Sequence, residues 1–138
     1  MTIKQTYEYL LQIKILESKI QNAIIQVETL RSCLLPSGIR YDLDKVQTSP
    51  ADQMSGIESR VIDLEHDIKQ MEHQKNRLIV QITNAIYCLQ NDDEKTVLLA
   101  YYIGRKRIED IADEIPVSVR TAYYIKRKAI SHLAAILK

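Results

Sequence analysis

The sequence predicts an all-α protein, and three observations support this prediction. Glycine and proline are scarce, with three of each in 138 residues, which favours long helices over a sheet that needs many turns. The chain has no Trp and no Phe, so its core must be built from Ile, Leu, Val, Ala and some Tyr. Two long stretches, 3–34 and 57–90, place apolar residues at alternating spacings of three and four, the pattern of a coiled-coil seam.

The first stretch predicts a long helix over residues 3–34. Its apolar stripe consists of Ile13, Leu16, Ile20, Ala23, Val27, Leu30 and Leu34. Pro36 and Gly38 then stop the helix. Residues 36–55 are predicted to form a linker, because they hold two prolines, a glycine and several turn-forming Asp and Ser residues.

The second stretch predicts another long helix, over residues 57–90. Its stripe consists of Ile57, Val61, Leu64, Ile68, Met71, Lys75, Leu78, Ile82, Ala85 and Leu89. Lys75 is the one charge in the stripe, and its aliphatic stem can lie along apolar neighbours while the ammonium reaches water. Two such helices with a loop between them predict a long, coiled-coil-like antiparallel hairpin.

Extra apolar residues widen both stripes. They are Ile15, Ile24, Ile25, Ile62, Ile79 and Ile86. A wider stripe predicts that the hairpin packs on something more, either on the C-terminal helices or on a second copy of the chain. In the second case the protein is a homodimer that forms through the hairpin.

Charge, cysteine content and hydropathy restrict the class of protein. The net charge is +1, so any basic patch must come from an uneven distribution of charge. The hairpin would hold Cys33 and Cys88 much further apart than the roughly 7 Å between Cα atoms that a disulfide tolerates. We therefore expect two buried or half-buried thiols. No secretory signal and no uncharged apolar run of about 18 residues is visible, so we expect a cytoplasmic protein without a membrane span.

A second domain is predicted over residues 91–138, after a hairpin domain over residues 1–90. Asp92 or Asp93 can cap a helix over about 94–103 that ends at Gly104. The apolar face of this helix consists of Val97, Leu98, Tyr101 and Tyr102.

The next elements are predicted to be a short helix, a tight corner and a final long helix. The short helix covers about 107–114, and its inward residues are Ile108, Ile111, Ala112 and Ile115. Pro116 and Val117 make the corner, with Val117 turned into the core. Ser118 is a good N-cap for the last helix, because its hydroxyl can accept from an amide two or three residues later. This order is the helix-turn-helix layout, whose second helix lies in the major groove of DNA.

Helical periodicity separates an apolar face and a basic face on the last helix. The predicted core face consists of Ala122, Ile125, Ala129, Leu133 and Ile136, and the opposite side of Arg120, Tyr124, Arg127 and Ser131. From Ser118 to Lys138 there are five Lys or Arg residues and no Asp or Glu. A nearly neutral chain with a purely basic last helix has the charge distribution that a DNA-reading helix needs.

Each residue of the basic face can be given a predicted role. Arg120, near the helix start, is the first candidate for a bidentate contact to guanine. Arg127 and Tyr124 are predicted to contact bases or phosphates further along, and the remaining residues are better placed for phosphates. The predicted DNA-binding residues are Arg107, Ser118, Arg120, Thr121, Tyr123, Tyr124, Arg127 and Lys128.

Residues 108–129, IEDIADEIPVSVRTAYYIKRKA, resemble the fourth region of bacterial sigma-70 factors, whose typical run is I-A-x-x-L-G-x-S-x-x-T-V. The residues that fit this run are Ile111, Ala112, Ile115, Val117, Ser118, Thr121 and Ala122. The preceding DEKTVLLAYYIGRKR resembles the helix that leads into that region. The whole chain is similar to the small sigma-like regulators carried by phages of Gram-positive bacteria. The resemblance implies binding of double-stranded DNA in late-gene or promoter control, and a contact with RNA polymerase.

The sequence departs from the sigma pattern at the corner. Pro116 stands where sigma factors usually have Gly, which supplies a positive φ that proline cannot adopt. We therefore expect this corner to be built differently. Nothing in the chain resembles the sigma region that melts promoters, so a complete sigma factor is not implied.

Two alternatives to a transcription regulator stay open. One is a phage DNA-packaging or assembly subunit, in which a coiled-coil oligomer carries the helix-turn-helix. The other is a helical scaffold whose basic face is merely solvated. No nucleophile–base pair, paired carboxylates, phosphate-binding Gly loop or Cys/His cluster is visible, so neither an enzyme nor a cofactor is predicted. His66 and His73 are interpreted as part of a solvated face, not as metal ligands.

Overall fold

A computed structural model describes residues 1–34 and 50–137, and within these ranges every regular element is a helix. The helices are α1 (Ile3–Ser32), α2 (Pro50–Tyr87), α3 (Asp92–Leu98), α4 (Ile108–Glu114) and α5 (Val119–Ile136), and α3 continues directly into a π-helical segment at Leu99–Ile103. The predicted all-α class is confirmed. None of these helices combines the length and the apolar composition needed to cross a membrane.

The start of α2 differs from the sequence prediction. The helix begins at Pro50, so residues 50–55, predicted as linker, are helical. Proline is tolerated in the first turn of a helix, because the N–H that it lacks would have no partner inside the helix there. The remainder of the predicted linker lies outside the described residues.

The packing divides the chain into two compact units. The first, which we call the terminal unit, consists of Met1–Ile15 and Lys75–Lys138, and the second, the hairpin unit, consists of Leu16–Gln74. The packing thus groups the start of α1 and the end of α2 with residues 91–138. The predicted domain boundary near residue 90 stays a prediction about folding.

The predicted heptad stripes are confirmed as the inward sides of α1 and α2. Every stripe residue is buried or half-buried, including Lys75, whereas the positions between them are mostly exposed. Within the hairpin unit, an ion pair joins Arg31 near the end of α1 to Glu65 of α2. Within the terminal unit, the Tyr9 hydroxyl donates to Gln81 Oε1 at 3.4 Å. In each unit a residue of α1 thus contacts a residue of α2, as an antiparallel hairpin requires.

The residues that widen the stripes have different environments. Ile86 is fully buried, but Ile25 and Ile62 of the hairpin unit are 57% and 66% exposed. Burial of apolar side chains contributes a favourable free energy of about 25 cal/mol for each Å² that is removed from water. The hairpin unit therefore carries apolar surface that the described residues leave uncovered.

The core of the terminal unit lies where α3 and α4 contact α5. The fully buried cluster there consists of Val97, Ile108, Ile111, Ala112 and Ala122, with Ile115, Val117 and Ile125 packed against it. The predicted inward faces of α4 and of the corner are thereby confirmed. On α5, Ala129 and Leu133 are fully buried as predicted, but Ile136 is 36% exposed. The prediction for Ile136 is wrong because the residue lies in the last turn, beyond the end of the core.

The cap of α3 also differs from the prediction. The N-cap is Asn91, whose Oδ1 accepts from the N–H groups of Asp93 and Glu94 at 2.9 and 3.2 Å. Asp92 and Asp93 lie in the first turn instead, where their charge favours the helix dipole. Gly104 ends the π-helical segment as predicted, and its N–H donates to the Leu99 carbonyl at 2.8 Å.

Both cysteines are exposed, so the prediction of buried or half-buried thiols is wrong. Each cysteine immediately precedes an inward-facing leucine, Leu34 or Leu89. Cys33 and Cys88 each lie directly after the last residue of a helix, Ser32 or Tyr87, so the helical periodicity does not place their thiols. Cys88 Sγ donates to the Asn84 carbonyl at 3.4 Å.

The corner between α4 and α5 has the hydrogen bond of a Schellman motif. The Val117 N–H donates to the Ala112 carbonyl at 2.9 Å, across the helix end at Ile115. Pro116 occupies the position where this motif takes a positive φ, and its φ is 20°. The corner therefore keeps the hydrogen bond of this motif, but its φ is smaller than the roughly 57° of the left-handed region that a glycine adopts there. The proline, whose ring favours a φ near −65°, is strained at this φ.

Pro116→Gly is expected to stabilise the protein by about 1–2 kcal/mol. Glycine adopts a positive φ without strain, and its N–H supplies the second Schellman bond, to the Asp113 carbonyl, which proline cannot make. These gains exceed the roughly 1 kcal/mol that the more flexible unfolded chain costs. Urea unfolding followed by circular dichroism measures the difference. Pro116→Ala is the matched control and should gain less, since alanine restores the N–H but keeps the strain. A lower unfolding free energy for Pro116→Gly would contradict a strained corner.

Candidate nucleic-acid interface

Ser118 fixes the start of α5. As the N-cap, its Oγ accepts from the Thr121 N–H at 3.1 Å, and the same hydroxyl donates to Thr121 Oγ1 at 2.8 Å. The predicted cap is therefore confirmed. Both hydroxyls lie on the surface at the positive end of the helix dipole, where amides and dipole favour an anion.

The outward side of α5 brings most of the predicted DNA-binding residues together. We call this side the basic face, and it consists of Arg120, Thr121, Tyr123, Tyr124, Arg127 and Lys128, all exposed. A shallow groove along it is lined by Val119, Arg120, Tyr123, Tyr124 and Arg127. The face contains three cations and no acid, and its two tyrosines are 47% and 54% exposed. Such a surface suits a polyanion with flat, stackable groups.

Lys128 and Tyr124 contact one another within the basic face. The Lys128 Nζ lies 5.2 Å from the centre of the Tyr124 ring. Hydrogen bonding with the Tyr124 hydroxyl raises the pKa of the Lys128 ammonium. Lys128 therefore stays cationic through the neutral range, and its position on the face is tied to that of Tyr124.

Arg107 is placed elsewhere. It is the N-cap residue of α4, and its Nε lies 3.5 Å from Asp110 Oδ2. The neighbouring Lys106 Nζ lies 2.6 Å from Glu114 Oε1. Arg107 lines a separate cleft together with Lys14 and Tyr101. The structure thus does not bring Arg107 into the groove of the basic face, and acids of α4 partly neutralise the basic loop that carries it.

Sequence reasoning missed Lys126, which is charged but only 9% exposed. Its Nζ lies 3.9 Å from the ring centre of Tyr101, and at 5.7–5.9 Å from the ring centres of Tyr102, Tyr7 and Tyr123. We call these four rings the tyrosine cage. Desolvation by burial lowers the pKa of the Lys126 ammonium, and the neighbouring Tyr7 acts in the opposite direction. The electron-rich ring faces partly replace the water that the cation has lost.

The sequence does contain a signal for this lysine. Lys126 follows Ala122 by four residues, so it lies about 40° from Ala122 around α5, inside the predicted core face. Its charge alone kept it out of that prediction. The cage contains another unusual group, the Tyr102 hydroxyl, which is buried and has no hydrogen-bond partner in the described part of the chain. Burial raises the pKa of this hydroxyl.

A buried carboxylate also holds α5 in place. Glu94 of α3 is buried, and both of its oxygens lie 2.9 Å from Nδ1 of the half-exposed His132. This contact joins the first turn of α3 to the second turn from the end of α5. His66 and His73 are exposed, and in the described part of the chain no three His, Cys, Asp or Glu side chains are grouped as metal ligands.

The fold and the site together define an all-α protein with a capped, basic and tyrosine-bearing helix at its C-terminal end. The family model described as "Protein of unknown function (DUF1492)" matches residues 34–134, and the chain belongs to this family. The matched range includes all of the predicted DNA-binding residues. No curated protein and no solved structure matches the chain.

Lys126 and Tyr101 are expected to stabilise the fold jointly by about 1–2 kcal/mol, since the cation is desolvated and lies close over the ring. A double-mutant cycle of Lys126→Met and Tyr101→Leu, read by urea unfolding, isolates this coupling free energy. The control cycle replaces Tyr101→Leu by Tyr87→Leu, because Tyr87 is exposed on α2. In the control cycle, the two changes in the free energy of unfolding should add. Additive changes in the test cycle would show that the cage does not hold the ammonium.

Proposed function

We propose that the protein is a transcription regulator that binds double-stranded DNA sequence-specifically and reads the major groove with α5 from Ser118. The observation that carries this proposal is the basic face: three exposed cations and two exposed tyrosines, without an acid, on a helix whose other side is buried. A helix anchored in this way presents its side chains to DNA at fixed positions.

The dimensions and connections of the last two helices support this proposal. α5 has 18 residues and is about 27 Å long at 1.5 Å per residue. The major groove is about 12 Å wide and admits one helix. α4 packs on α5 through a corner with one inward apolar residue, Val117. This arrangement resembles the helix-turn-helix, in which the N-terminal part of the second helix contacts base edges.

The positions along α5 suggest different roles. Arg120 lies in the first turn and is proposed to read a guanine through a bidentate contact. Tyr124 and Arg127 lie one and two turns further and are proposed to contact bases or phosphates. Ser118, Thr121, Tyr123 and Lys128 are proposed to contact phosphates, which set register and orientation without reading sequence.

Arg107 is proposed to contribute least among the predicted residues. Its Nε lies 3.5 Å from Asp110 Oδ2, and the residue lies on the loop before α4. The exposed acids of α4 repel phosphates. Since Coulomb interactions fall with distance and are screened within about 10 Å at 0.1 M salt, those acids act mainly on this loop and less on the basic face.

The biological setting of the proposal rests on the sequence resemblance alone. The resemblance of the whole chain to small phage regulators implies the phage origin, and the sigma-like run at residues 108–129 implies promoter or late-gene control and contact with RNA polymerase. Co-purification of RNA polymerase with the tagged protein tests the polymerase contact.

Arg120→Ala/Arg127→Ala is expected to weaken duplex binding by about 100-fold, since each good bidentate contact is worth about 1–3 kcal/mol. Fluorescence anisotropy with a labelled duplex, taken from a random library by selection with the wild type, measures this loss. Binding by the wild type should weaken steeply as salt rises, and the double variant should have a shallower salt dependence.

The matched control is Arg60→Ala/Arg77→Ala, which removes the same charge from two exposed arginines of α2. It should keep most of the affinity, because those residues lie outside the basic face. Equal losses of DNA affinity in both variants would show that binding depends on net charge and not on the basic face. Selection without enrichment of any sequence by the folded wild type would overturn sequence-specific reading.

We also propose that two copies associate through the hairpin unit. The observation that favours this is the exposure of Ile25 and Ile62, which are two large apolar side chains of the hairpin unit. A dimer would place two basic faces on one DNA molecule, as half-site recognition requires.

Ile25→Glu/Ile62→Glu is expected to turn a dimer into a monomer, since a charge at each position would have to be buried without a partner. Sedimentation equilibrium measures the mass. Ile15→Glu, an equally exposed isoleucine of α1 in the terminal unit, is the control and should leave the dimer intact. A monomeric wild type at high concentration would refute the proposed association.

A further inference from the structure

A second concave site lies beside the basic face, between the start of α1 and the middle of α5. Its volume is about 580 Å³, within the range of roughly 300–1,000 Å³ that small-molecule sites occupy. Ile3 and Tyr7 of α1 and Ile130 of α5 supply its apolar lining. All of these residues belong to the terminal unit.

The cleft is part of the packed structure of this unit. The α-amino group of Met1 donates to the Leu137 carbonyl at 2.6 Å and to the Ala134 carbonyl at 3.5 Å. A cation at the end of α5 satisfies carbonyls that have no partner inside the helix and favours its dipole. These contacts hold the start of α1 along α5, so the apolar lining is fixed from both sides.

The charged lining of the cleft is entirely positive. Lys4, Lys126 and Arg127 line it, and no Asp or Glu does. Lys126 is about nine-tenths buried, and the ion pairs of the described residues include none between it and a carboxylate. The aromatic rings around the Lys126 ammonium carry no formal negative charge, and among the described residues no carboxylate pairs with it, so an anion in the cleft would supply a counter-ion.

We propose that this cleft binds a small amphipathic organic anion, a carboxylate, sulfonate or phosphate ester with an apolar body. The anionic group pairs with the Lys126 ammonium, and Lys4 and Arg127 add to the attraction. The apolar body lies against Ile3, Tyr7 and Ile130. Both parts are required, because the cations alone would select hydrated inorganic anions, which gain nothing from an apolar wall.

The cleft and the basic face share two residues, Tyr123 and Arg127, which line the cleft and the groove of that face alike. A ligand that engages Arg127 competes with DNA for it. Resting on the proposed function, the anion is therefore an effector that weakens DNA binding.

The first experiment uses the full chain without DNA and the fluorescent sulfonate 1-anilinonaphthalene-8-sulfonate as probe. Fluorescence and isothermal titration calorimetry should show saturable binding of one probe per chain. Lys126→Met and Ile3→Asp should each weaken it at least tenfold. Ile3 is exposed, so the second variant tests the cleft without disturbing the core. Ile15→Asp is the matched control, an exposed isoleucine of the same helix outside the cleft, and should bind like the wild type.

Two outcomes would overturn the proposal. One is the absence of saturable binding, or binding that Lys126→Met and Ile3→Asp leave unchanged while circular dichroism shows a native fold. The other is displacement of the probe by inorganic phosphate at the same concentration as by an alkyl sulfonate, which would make the apolar lining irrelevant.

A second arm tests the effect on DNA separately. The alkyl sulfonate should weaken duplex binding by the wild type and by Ile15→Asp, but not by Ile3→Asp. Failure of the folded wild type to bind any duplex refutes the proposed function and leaves the anion site standing on the first arm. Probe binding in the cleft with unchanged DNA affinity refutes only the effector role.

Discussion

The close packing of α5 on α3 and α4 is the constraint on which the candidate interface depends. Ala112 and Ala122 are both fully buried in the core of the terminal unit, and small side chains there allow helices to approach closely. Interiors are packed to crystal-like density, so a larger residue at either position would push α5 outward. Because this contact fixes the rotation of α5 about its axis, it also decides which side chains face solvent. The basic face is exposed because the alanines are buried.

The same rotation places Lys126 at the border between core and surface. An ammonium there loses much of its hydration, and its lowered pKa expresses that loss. The ring of Tyr101 at 3.9 Å offsets part of the cost, but it brings no negative charge. The site is thus stable enough to persist and still favours an added anion. A methionine at position 126 would fill the same space without a charge. The lysine therefore lowers the stability of the fold through its lost hydration, and a bound anion would offset this loss.

Most features with a local cause could be predicted from the sequence, although the cap of α3 was placed one or two residues late, and those with a tertiary cause could not. Heptad spacing alone identified the inward sides of α1 and α2, and the order of residues from Ile108 to Ser118 identified α4, its corner and the cap of α5. The burial of Lys126 depends on tyrosines from three separate segments, which no local pattern brings together. The φ of Pro116 likewise departs from the value near −65° that the proline ring favours, so the residue type alone could not predict it. The DNA-binding role of the basic face stays a prediction.

Arg127 makes any coupling between the cleft and the basic face reciprocal. A ligand shifts DNA affinity only by the difference between its binding free energies to the free and to the DNA-bound protein. Arg127 can pair with the anion in one state and with a phosphate in the other. In that case DNA must lower the affinity for the anion by the same factor by which the anion lowers the affinity for DNA. Since exposed charge pairs are worth about 0–1 kcal/mol, competition for Arg127 alone gives a factor of roughly five at most. A larger effect would require α1 to move along α5, and the contact of the Met1 amino group with the Leu137 carbonyl opposes that movement. The geometry therefore favours a graded effector over an all-or-none switch.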